Sequence, residues 1–160
     1  MTDPGGAWSE QAGFFRSALL LGLIKGDLAV RWADDVLATG GDVPHAFVEI
    51  STTDPDDLSA LRHALLALCD ERPSPGIVDA LLGLVARDLE SERRSFPDTV
   101  RVLVQLRKFL KIDPALDEQL KAQSVEATMK PDGPVLAEQR VRAWLMQYAT
   151  AVLAGEAGGR

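Results

Sequence analysis

Five prolines set the rhythm of this chain. Pro55, Pro75, Pro97, Pro114 and Pro134 stand 17 to 22 residues apart, and each precedes a stretch rich in leucine and alanine. At the first position of a helix a proline's missing N–H would have no partner, and its φ is already set. In a helix interior the same residue breaks the hydrogen-bond ladder. Each of these prolines therefore marks a start, leaving room for one helix and a short turn before the next. Alternating β-branched runs are scarce, while leucine and alanine recur at helical spacing. The pattern predicts an all-α protein, an irregular bundle of about seven antiparallel helices. The regular interval also fits a helical repeat, although no side-chain pattern recurs with it.

The individual starts follow from caps. Ser9 is expected to cap a first helix running to about Leu23, with Phe14, Phe15, Ala18, Leu19 and Leu21 as its apolar surface. Asp27 is expected to cap a second, from Leu28 to about Ala38, closed by Gly40 and Gly41. Pro44–Ser51 reads as a short helix or turn. Asp54 and Pro55 are expected to open the next helix, with Asp56 and Asp57 in its first turn and Leu58, Leu61, Leu65 and Leu68 as its stripe. Ser74 and Pro75 open another, turning Ile77, Leu81, Leu84 and Val85 inward. Further helices begin near Pro97, at Asp113–Pro114 with Leu116 and Leu120 as a sparse apolar face, and near Pro134.

The chain has 160 residues, 46% hydrophobic and 26% charged. A domain of this size buries enough surface to fold without a metal or disulfide. One helical domain is expected over 1–154, with residues 155–160 as a frayed tail. Cys69 is the only cysteine, which rules out an internal disulfide and a multi-cysteine zinc cluster. In its apolar setting it reads as a small buried hydrophobe. Lys and Arg number 17 against 24 Asp and Glu, a net charge of −7. That balance argues against nucleic acid and anionic membranes as partners. The N-terminus lacks the basic and apolar regions of a secretory leader, and Ala18–Ile24 is too short to span a membrane. A cytoplasmic protein is expected.

Three groups of residues bear on chemistry. Asp34 and Asp35 follow Trp32, and Asp42 follows two glycines. On a helix Asp34 lies about 200° around from Trp32, on the solvated side, while Leu28, Ala29, Trp32, Ala33 and Val36 share the other. Adjacent carboxylates on a helix do not face one another, so they cannot clamp one ion as a pair. His45 and His63 lie in no ligand spacing. A metal-dependent hydrolase using Asp34, Asp42, His45 and His63 would need them to meet through the fold. No phosphate-binding glycine motif and no nucleophile elbow is present, so neither a cofactor nor a catalytic residue is assigned. The third group is basic. Arg101 and Lys108 are seven apart on the helix after Pro97, with Gln105 between them, and Arg107 and Lys111 form a second row. Of the remaining aromatics, Trp8, Phe47, Phe96, Phe109, Trp144 and Tyr148 fit core positions, with Trp144 and Tyr148 an i, i+4 pair.

"GLIKGDLAVRWADDVLA", followed shortly by "PHAFVEIS", resembles the start of small uncharacterised bacterial helical proteins. The shared pattern is G-x-I, then W-A-D-x-x-[IL], then a proline-led apolar turn, and it covers residues 14–70. Some proteins of this sort look like immunity or accessory proteins of bacterial conflict systems. The resemblance implies that Trp32, Ala33 and Asp34 are a structural signature, with Asp34 capping the next segment. It transfers no catalytic residue. Together these readings lead to a non-enzymatic module that binds another protein, a basic one for the acidic residues. Asp34, Asp35, Asp54, Asp56 and Asp57, then Glu90 and Glu92, are the candidate acidic contacts, and Arg101 and Lys108 the basic ones. A metal-dependent hydrolase and a helical-repeat scaffold are the alternatives.

Overall fold

The computed structural model describes residues 4–129 and 134–153, with side chains over 5–124 and 135–153. The described residues form eight helices and no strand: α1 (Pro4–Leu20), α2 (Gly26–Ala38), α3 (Ala46–Thr52), α4 (Leu58–Leu66), α5 (Pro75–Glu90), α6 (Phe96–Phe109), α7 (Pro114–Met129) and α8 (Pro134–Met146). None of them is long and apolar enough to cross a membrane. The expected all-α bundle is what the chain forms. It divides into two compact units, Met1–Glu71 and Arg72–Arg160. The expected tail, 155–160, lies outside the described residues.

In the first unit α1 packs mainly on α4 and α2 mainly on α3, and both α2 and α3 also reach α4. Its interior joins rings to small residues. Phe47 is fully buried, with Trp8 and Trp32 at ring-centroid distances of 5.3 and 5.0 Å. Ala12, Ala29 and Ala33, all fully buried, let the backbones approach around these rings. The Trp32 indole N–H donates to Gln11 Oε1 at 2.8 Å, so its polar edge is satisfied. Gly26 marks the closest approach. A Cβ there would lie 2.0 Å from the Pro55 carbonyl oxygen, so only glycine lets α2 start against that turn.

In the second unit α5 packs on α8 and α6, and α7 on α6 and α8. Its interior is aliphatic, with Leu81, Leu82, Val85, Leu89, Leu103, Leu106, Leu120 and Leu145 all but fully buried. Gly83 plays the part of Gly26 here, since a Cβ would meet the Ala151 and Tyr148 carbonyl oxygens at 2.6 Å. The Arg87 guanidinium donates to the Ala149 and Ala151 carbonyls, 3.1 Å each, and ties the last turn to α5. In each unit the first helix packs on the fourth, which closes the unit on itself. A solenoid would place each repeat only against its neighbours.

Some caps match expectation and several do not. Ser74 accepts from the Ile77 N–H ahead of α5, and Asp113 from the Ala115 N–H ahead of α7. Ahead of α6 the cap is Ser95, which is not among the expected caps and accepts from the Asp98 N–H. Ser9 does not cap α1, which begins at Pro4, and α1 ends at Leu20 rather than Leu23. Asp27 lies inside the first turn of α2, whose N-cap is Lys25. There it faces Arg31 one turn on, a pairing that local propensity rules do not weigh against capping. Pro55 does not open α4. It sits in a turn in which Asp54 accepts from the Asp56 N–H, and Asp57 caps the helix by accepting from the Ala60 N–H. Leu28, Leu58 and Phe109 are exposed, against expectation. α2 turns Gly26, Ala29 and Ala33 inward instead, Gly26 against the Pro55 carbonyl and the Leu61 side chain.

Candidate functional site

The five candidate aspartates all belong to the first unit, and all are exposed. They do not all stand free. Asp57 is engaged as the α4 cap and Asp54 in the turn before it. Asp34 accepts from the Ser51 hydroxyl on α3. It therefore holds the far end of α3 against α2 and does not cap the segment that follows, since α3 is preceded by His45 with no side-chain cap. The side-chain carboxylates of Asp35 and Asp56 have no hydrogen-bond or ion-pair partner among the described residues. Asp42 is exposed as well.

Charge is divided between the units far more sharply than the whole-chain total suggests. Residues 1–71 hold 12 acidic and 4 basic residues, a net −8, while residues 72–160 hold 12 acidic and 13 basic, a net +1. Several basic residues of the second unit are paired with carboxylates. Arg107 makes a two-pronged contact with Asp117, at 2.9 and 3.2 Å. The hydrogen bond from Arg107 holds the Asp117 carboxyl below its usual range. Arg142 bonds Glu138 at 2.8 Å and Glu90 at 3.4 Å. Arg94 lies 3.6 Å from Asp88, both mostly buried. Of the expected basic rows, Arg101 and Lys108 do lie exposed on α6, with exposed Val104 between them. Arg101 pairs with Asp98 at 2.9 Å, and Lys108 rests over the Phe109 ring at 5.4 Å. The second row is not formed, because α6 ends at Phe109 before Lys111 and Arg107 turns to Asp117. Glu90 and Glu92 are exposed, Glu90 in contact with Arg142.

The residues of a metal-dependent site are not brought together. Among the described residues no three His, Cys, Asp or Glu side chains are grouped so as to hold an ion. His45 is exposed and lies 3.9 Å from Glu49, one turn along α3. Cys69 is half-buried, its Sγ 3.3 Å from the Leu65 carbonyl oxygen. Burial pushes its thiol above the usual range, so it is a poor nucleophile at neutral pH.

One feature has no local signature in the sequence. In the second unit a cavity of about 520 Å³ opens between the starts of α5 and α7, walled by Pro75, Val78, Ile112 and Leu116 and reached by Asp79 and Tyr148. Burial raises the Tyr148 phenol above its usual range, with the charge of Asp79 adding to the effect. Trp144 and Tyr148 meet edge to face at 5.4 Å, and both are half-buried rather than core. Compared with protein-family models, curated proteins and solved structures, the chain has no match.

Proposed function

We propose that this protein acts by binding another protein through the acidic surface of its first unit, as a bacterial immunity or regulatory protein of the cytoplasm. The observation that carries this reading is the net −8 of residues 1–71, with the side-chain carboxylates of Asp35 and Asp56 exposed and unpartnered among the described residues. Unpaired surface carboxylates steer a basic protein into encounter and select against acidic ones. In the immunity version the surface covers the cationic active site of a toxin. Arg101 and Lys108 supply a separate, basic contact on α6. The reading is tested by capture from the native cell on immobilised protein, wild type beside Asp35→Asn/Asp56→Asn. A basic protein held by the wild type, released by salt and missed by the variant, supports it. Equal capture by the two, or none by either, overturns it.

A further inference from the structure

The first unit has few cations, and it places half of them in one groove. Of its four Lys and Arg residues, Lys25 and Arg31 sit beside Asp27. The other two, Arg16 of α1 and Arg62 of α4, line a groove of about 250 Å³ between these helices, with Ser59, His63, Leu20 and Leu66. Both guanidinium-bearing residues are half-buried. Arg16 Nη1 donates to the Glu71 carbonyl at 3.4 Å. Among the described residues neither arginine has a carboxylate partner, in a unit with 12 of them. Two partly desolvated like charges beside one groove repel each other and lack compensation. An anion entering the groove relieves both costs.

The donor set narrows the anion. Two arginines, a serine and a histidine line the groove, and no carboxylate does. They carry more donors than the two oxygens of a carboxylate can use, while a phosphate offers three or four, and arginine meets phosphate in a two-pronged geometry. The surrounding −8 charge repels an extended polyanion such as nucleic acid. The small groove admits one phosphate group, and Leu20 and Leu66 offer apolar contact to what it is attached to. We propose that the α1–α4 groove binds the phosphate group of a small phosphorylated ligand through Arg16, Arg62, Ser59 and His63. This site stands apart from the acidic-surface reading and does not depend on it.

The test is a titration of the full chain with inorganic phosphate, followed by amide NMR at constant ionic strength kept with chloride. Saturable shifts centred on Arg16, Ser59, Arg62 and His63 are expected, with none on adding chloride alone. Arg62→Gln and Arg16→Gln each weaken binding about tenfold or more, and Arg31→Gln, outside the groove, leaves it unchanged. Shifts scattered over the surface, or equal affinity in Arg62→Gln and wild type, overturn the proposal. Should Arg16→Gln fail to fold, the mapping on the native chain and Arg62→Gln still decide. Glycerol phosphate and phosphatidic acid vesicles separate a free ligand from a lipid headgroup. Binding to either upholds the site, and binding to neither overturns it.

Discussion

Around Phe47, α1, α2 and α3 bring tryptophan and phenylalanine rings together over fully buried alanines. In the second unit the same role falls to leucines from α5, α6, α7 and α8. The surfaces differ as the cores do. The second unit engages much of its charge internally, Arg107 with Asp117 and Arg142 with Glu138 and Glu90. The first leaves most of its carboxylates to solvent. Among its described residues the charged contacts are exposed one-turn pairs, Arg31 with Asp27 and His45 beside Glu49, of a kind that contributes little to stability. Two four-helix units, each with its first helix packed on its fourth, thus put charge to opposite uses. In one it ties helices together, and in the other it is presented outward.

The core contrast is tested first, because it carries the largest effect. Phe47→Ala is expected to cost about 3–5 kcal/mol, and Leu103→Ala, its aliphatic counterpart, about 2–5 kcal/mol. Urea denaturation followed by circular dichroism and tryptophan fluorescence measures both. A smaller loss at Phe47 than at Leu103 would show that the aromatic cluster adds nothing beyond buried area. Next come the glycine contacts. Gly26→Ala is expected to cost about 1–3 kcal/mol or more, since a Cβ 2.0 Å from the backbone oxygen of Pro55 forces the chain to move. Gly83→Ala, with its contacts at 2.6 Å, is expected to cost less in the same experiment. The reverse order would mean that the α2 start is the softer of the two.

Charge effects are smaller and sharpen the second half of the contrast. Asp57→Ala removes the α4 cap and is expected to cost about 1 kcal/mol. Asp35→Asn is expected to fall within about 0.5 kcal/mol of wild type. Equal losses at the two would mean that Asp35 has a structural duty after all. In the second unit the Asp117 carboxyl is held below its ordinary value of 3.8 by the hydrogen bond from Arg107. Its contribution to stability is present above that ordinary value and lost as pH falls through the lowered native one. An acid titration of wild type and Asp117→Asn should therefore show the variant less stable at neutral pH and flatter on the acid side. Parallel curves would remove the pair from the list of contacts that hold α6 to α7.

Much of the helical plan was legible from local chemistry. Ser74, Asp113 and the prolines after them mark α5 and α7 because a cap acts within three residues of the helix it starts. The same rules misplace α4. Asp54-Pro55 and Asp57 both offer a start, and the choice falls to Asp57 because Pro55 is pressed against Gly26 of another helix. The buried stripe of α2 also departs from the local pattern. Leu28 fits the pattern by hydrophobicity, but the buried residues of α2 are Gly26, Ala29 and Ala33, with Trp32 packed beside them.

By itself the sequence determined the helical class, most helix starts, the lack of an internal disulfide and the surplus of acid. The tertiary structure alone decided the division into two units, and with it the −8 and +1 that the total of −7 conceals. It also decided which aspartates are free and which are tied, and it brought Arg16 and Arg62 to one groove. The physical reason is range. Helix propensity and capping act over about four residues along the chain. The company a charge keeps is set by packing between helices, which joins residues far apart in sequence.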